Sequence, residues 1–92
     1  MKYNITKRQR DNAKKLGVTI QPSSRKFKKI DVYRGGKLVA SIGDIRYRDY
    51  DIYLKETSKA YADSRRKAYK TRHKKDRMVK YSAGYYADNI LW

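Results

Sequence analysis

The stretch KKIDVYRGGKLVASIG, residues 28–43, constrains the fold more than any other. Two runs rich in β-branched and aromatic residues flank Gly35-Gly36, and both glycines accept positive φ without strain, which is the signal of a β-hairpin. Alternation then tests the register. A two-residue turn pairs Tyr33 with Leu38 and sets Ile30 and Val32 on the face opposite Leu38, Ala40 and Ile42. A three-residue loop pairs Arg34 with Leu38 and gathers Ile30, Val32, Ala40 and Ile42 on one face, so it is the expected form, with Gly43 ending the hairpin. The Gly pair fits neither the Walker nor the dinucleotide-binding spacing, so it reads as a turn and not a phosphate cradle.

Around the hairpin the chain reads as helical. Thr6 is placed to cap a short first helix whose end is marked by Lys14, Lys15 and Gly17. An extended segment follows, with a further strand expected near 18–21, and Pro22-Ser23-Ser24 breaks it. Asp49 can cap a short helix bearing Tyr50, Tyr53 and Leu54. Ser58 can cap the longest helix, about 59–75, and Ser82 a last one carrying Ala83, Ala87, Ile90 and Leu91. The expectation is a small single α+β domain over 1–92: a basic N-terminal helix and loop (1–29), the hairpin (30–43) and a helical part (44–92). In it the hairpin packs on the long basic helix and a short C-terminal helix, and Ile90, Leu91 and Trp92 dock back to close the core.

Size and charge limit what such a domain does. Ninety-two residues allow one core. There is no cysteine, so disulfides and thiolate metal sites are out. No apolar run approaches membrane-spanning length, and no signal peptide is expected. Ten of the twelve aromatics are tyrosines, which suggests a thin, amphipathic core. The formal net charge of +16 makes polyanions the first class of partner. It is unevenly spread: residues 30–58 hold five cations and five anions, whereas 1–29 hold ten against one and 59–92 ten against three.

The densest stretch, Arg65 to Lys80, has nine cations and one anion. Solvated helix faces ordinarily mix signs for i,i+4 support. A stripe of one sign gains instead when phosphates neutralise it, with broad sequence tolerance and steep salt dependence. Arg65, Arg66, Lys67, Lys70, Arg72, His73, Lys74, Lys75 and Arg77 are therefore the expected nucleic-acid contacts, with Lys7, Arg8, Arg10, Lys14 and Lys15 as a second patch. On the long helix the tyrosines are expected mostly on the opposite, core-facing side. No helix-turn-helix, zinc-finger or ribonucleoprotein aromatic signature is present, so phosphate contact is expected rather than base readout.

Catalysis finds little support. His73, the single histidine, has Asp76 three residues on, but its cationic neighbours point to phosphate contact or stacking. Asp44, Asp49, Asp51 and Glu56 form the one acidic cluster, and their spacing matches no calcium loop. No catalytic residue, metal or cofactor is expected, and the chain reads as a non-enzyme.

The C-terminal pattern adds a resemblance. Arg65-Arg66, then Tyr69, Lys70, Arg72, His73, Lys75 and Asp76, then SAGYYADNILW from Ser82 to Trp92, preceded by the hairpin, resemble small basic proteins of large double-stranded DNA viruses, the chloroviruses and their giant-virus relatives. The resemblance covers nearly the whole chain. It implies a virion protein: either a DNA-binding structural protein on the genome, with double-stranded DNA as the expected partner, or a minor capsid protein beneath the shell. Other virion proteins are further expected partners, and the virion the expected location.

Overall fold

The structure, a computed structural model, describes residues 3–92. In chain order it holds α1 (Lys7–Lys15), β1 (Thr19–Pro22), β2 (Lys28–Arg34), β3 (Lys37–Asp44), α2 (Tyr50–Glu56), α3 (Lys59–Arg72), α4 (Lys74–Arg77) and α5 (Ala83–Leu91). The strands form one antiparallel sheet in the order β1-β2-β3, and the α+β expectation holds.

The hairpin corrects its expected turn. Arg34 lies opposite Lys37 and Tyr33 opposite Leu38, so the loop is the two-residue Gly35-Gly36, at φ 58° and 80°. The register then shifts between Val32 and Tyr33, and Val32 pairs with Ala40 and Ile30 with Ile42. Val39 is thus an extra residue, a β-bulge. Alternation demanded that Ile30, Val32, Ala40 and Ile42 share a face; the chain meets that demand with a bulge and not a longer loop. Pairing also runs one residue past Gly43, to Asp44 opposite Lys28. β1 supplies the expected third strand, with Ile20 opposite Val32. Pro22, which lacks an N–H, is tolerated because β1 is an edge strand.

Each long helix begins where a side-chain oxygen relieves its unpaired N–H groups. Thr6 accepts from Gln9 N while the Gln9 side chain accepts from Thr6 N, a full capping box. Asp49, Ser58 and Ser82 accept from Ile52, Tyr61 and Tyr85 N. α1 ends at Gly17, whose φ of 72° suits the residue after a helix.

The core joins Ile20, Ile30, Val32 and Ile42 of the sheet to Ala13, Val18, Tyr86, Ile90 and Leu91, with Tyr3 at one end. Full burial of each large apolar side chain stabilises by about 1.5–3 kcal/mol. α5 lies on β3, and α1 packs against α5 and β1. The long basic helix was expected under the hairpin; instead α3 packs chiefly on α2 and α4. Its apolar side is too sparse to cover a sheet: Ala62 is its one buried residue, and Tyr61 stays exposed.

α3 also stops sooner than the expected residue 75. The helix breaks at His73 (φ −103°, ψ 24°), and α4 makes one further turn. The beginning of α5 pins that turn. Gly84 lies so close to Asp76 that a Cβ there would stand 2.8 Å from the Asp76 carbonyl oxygen, and Ser82 Oγ donates to that oxygen at 3.2 Å. Arg77 Nε donates to the Lys70 carbonyl at 3.1 Å, serving the last turn of α3. Among the described residues no helix is long and apolar enough to cross a membrane.

Candidate nucleic-acid interface

Ion pairs divide the cations into two populations. Buried Lys29 donates to Asp49 Oδ2 at 2.9 Å, and both side chains are almost fully enclosed. The same oxygen accepts from Tyr3 OH, whose own oxygen accepts from Gln9 Nε2 at 2.7 Å. Burial first, then the neighbouring Asp49 charge, pushes the Tyr3 hydroxyl far above its ordinary range. A buried charge is tolerable only when paired and hydrogen-bonded in this way.

Three of the expected contact residues belong to this structural population. Arg8 donates to Asp51 Oδ1 at 2.7 Å and to the Leu91 carbonyl at 3.0 Å. With Asn12, which donates to the Ile90 carbonyl at 3.3 Å, it serves the free carbonyls and negative dipole end of α5. Lys70 donates to Asp88 at 2.6 Å across to α5. Arg77 is tied to α3 as above. These three bridge parts of the fold, and local spacing carries no sign of it because their partners lie 7 to 83 residues away.

Arg65 and Arg66 are half-buried. The Arg66 guanidinium sits 3.6 Å from the centroid of Tyr50, with Arg8 4.9 Å from the same ring, and Arg65 lies 5.7 Å from Tyr53. Along this edge the arginines of α3 therefore lie over tyrosines of the neighbouring α2. Tyr50 donates to Asp63 at 2.7 Å, and that bond raises its pKa. Among the described residues neither arginine Nε finds an acceptor.

The second population faces solvent. Lys67, Arg72, Lys74 and Lys75 are exposed and make no ion pair among the described residues. The same holds for Arg10, Lys14 and Lys15 on α1, while exposed Lys7 pairs with Asp11 within its own helix. His73 stands apart from both groups. Its ring stacks on Tyr69 (centroids 4.4 Å apart), with Nδ1 3.4 Å from Asp76.

Tyr69 also stacks on Trp92, centroids 4.5 Å apart and planes within 10°, and Tyr53 flanks Trp92 at 6.3 Å. Trp92 thus docks within its own chain, beside buried Ile90 and Leu91. Burial, followed by the Asp88 and Asp76 charges, pushes the Tyr69 hydroxyl up to about 12. Tyr47 and Arg48, in the β3–α2 connection, border the same region. Sequence reasoning passed over both; the alternation of tyrosine and arginine in RYRDY was the available signal.

Comparison of the chain with protein families, curated proteins and solved structures finds no match.

Proposed function

We propose that this chain is a non-enzymatic structural protein that holds nucleic acid through sequence-independent phosphate contacts and is carried with a viral genome in the virion. The viral setting rests on the resemblance of the C-terminal motif. The binding reading is carried by one observation: Lys67, Arg72, Lys74 and Lys75 crowd the end of α3 and the whole of α4, face solvent, and have no carboxylate partner among the described residues. The helix dipole favours cations in a last turn by about 0.3–1 kcal/mol each. It does not account for Lys74 and Lys75 beginning α4, where Asp76 is the one carboxylate among several cations and an external anion would relieve the remaining repulsion.

The test is binding of a fluorescent duplex of about 30 base pairs as salt is raised. If the four cations each meet a phosphate, log affinity falls linearly with log salt at a slope of roughly −3 to −4. Charge reversal at Lys67 and Lys74 lowers affinity and flattens that slope. These sites are preferable to Lys70, whose reversal would set a second carboxylate against Asp88. A slope near zero removes the proposal.

A minor capsid protein is the second reading, favoured by the exposed apolar side chains of Met78, Val79 and Tyr81. Its anchor would be that segment and not residues 90–92, since Ile90 and Leu91 belong to the core of their own chain. Met78→Ser with Val79→Ser separates the readings: it abolishes assembly with a protein partner and leaves duplex binding intact.

A further inference from the structure

A cavity of about 370 Å³ opens among three segments: Tyr47 and Arg48 before α2, Tyr69, Arg72 and His73 on α3, and Ala87, Leu91 and Trp92 from α5 onward. Its volume is at the lower end of the range of about 300–1,000 Å³ usual for small-ligand sites. A second cavity, about 430 Å³, adjoins it along the end of β3 and shares Gly43, Tyr69, His73 and Ala87 with it, and the two are taken together as a groove. Gly43 lines both cavities at a close-packed point, where a Cβ would meet Leu91 and Lys29.

Resting on the phosphate-binding reading above, we propose that this groove receives an unpaired nucleobase, which makes single-stranded nucleic acid the preferred partner. Aromatic rings border the cavity, and every base has a face that stacks on such rings. Three of them, His73, Tyr69 and Trp92, are already aligned by stacking on one another. Tyr47 comes from a different segment and is 69% exposed, free to close over a base. The backbone of the same strand is provided for by charge. Exposed Arg72 lies at the cavity and Lys74 and Lys75 follow just after His73, while Arg48 borders the cavity and, among the described residues, has one exposed pair with Glu56.

A duplex cannot use this groove without extruding a base, because its rings are stacked inside the helix. The polar groups at the cavity floor, Lys29 and Asp49, are bonded to each other, and both Asp49 oxygens are occupied. The Asp49 carboxylate is therefore not offered to a base edge, and stacking on the rings carries the binding.

Trp92 is the single tryptophan, and its fluorescence reports stacking directly. The experiment titrates the whole chain with oligothymidine and oligoadenine strands of about 12 nucleotides and with the duplex of equal length, at low and moderate salt. Single strands of both sequences are expected to quench Trp92 and to stay bound at a salt concentration that releases the duplex. Tyr47→Ala is expected to weaken single-strand binding by roughly tenfold, the loss of one stacking partner, and to leave duplex binding unchanged. Tyr47 is so exposed that the variant is expected to fold normally. Equal affinity for strand and duplex with Trp92 emission unmoved overturns the groove and spares the phosphate reading. An equal effect of Tyr47→Ala on strand and duplex likewise overturns the groove alone. Absence of binding to either at low salt overturns both.

Discussion

Lys29 and Lys74 carry the same side chain into opposite circumstances. Lys29 lies inside the domain, fixed to Asp49 and 5.3 Å over the ring of Tyr3. Lys74 stands in water on a one-turn helix among cations. Around Lys29 every charge has a designated partner, and removing a partner strands a buried ion. Lys74 and its neighbours Arg72 and Lys75 make no ion pair among the described residues, and removing one relieves repulsion. The difference separates the cations that make the fold from those left over for a ligand, which the net charge alone does not do.

The sharpest way to break this contrast is Asp49→Ala. It removes the cap of α2 and the acceptor of Lys29 and Tyr3, and an uncompensated buried ion costs about 3–5 kcal/mol. Domains of this kind have about 5–15 kcal/mol in all, so urea denaturation should show a marginal or unfolded variant. A loss below about 1 kcal/mol, within the range of an exposed pair, would erase the distinction.

Next comes Gly43→Ala, beside Lys29 on the interior side of the comparison. Gly43 sits at φ 74°, and a Cβ would fall 2.8 Å from Leu91 Cδ1 and 2.9 Å from Lys29 Cδ. Overpacking of about 1–3 kcal/mol is expected, readable as a lowered thermal midpoint.

Much of the fold was legible because it is local. Thr6, Asp49, Ser58 and Ser82 each announced a helix, and Gly35-Gly36 announced the turn. The bulge at Val39 was not legible, since either loop length plus the right irregularity yields the same apolar face. The break at His73 was hidden for another reason: nothing near residue 73 disfavours helix, and the cause, Gly84 and Ser82 against Asp76, comes from the packing of α5. Of the candidate site, the exposed stripe could be read from charge density. The diversion of Arg8, Lys70 and Arg77 into structural bonds could not, because pairing across the fold leaves no trace in spacing.

Alkali should distinguish the two regions more gently. Tyr3 and Tyr69 both have folded pKa values raised above the ordinary 10, chiefly by burial. Their contribution to stability is complete below pH 10. It is lost as pH rises, because the unfolded chain then binds fewer protons than the folded one. Tyrosinate absorbance is expected to show Tyr69 ionising near pH 12 and Tyr3 only with unfolding. Ionisation of Tyr3 alongside the exposed tyrosines would mean that its link to Asp49 is open to water.

The smallest stability effect belongs to Lys74→Glu with Lys75→Glu. Away from caps and core, such changes stay within about 0.5 kcal/mol. The calorimetric midpoint should scarcely move while nucleic-acid affinity drops; a large loss of stability would place these lysines with Lys29.

The bonds from Arg8 and Asn12 to the carbonyls of Leu91 and Ile90 also bear on how the domain is made. They join the first helix to the last, 78 and 83 residues apart. Contacts of such separation form late, after loop closure has been met elsewhere. During synthesis α1 emerges long before the helix that receives it. The newborn chain therefore carries α1 as a loose basic arm until α5 has been made, and that arm can meet the polyanions of the cell before it meets α5.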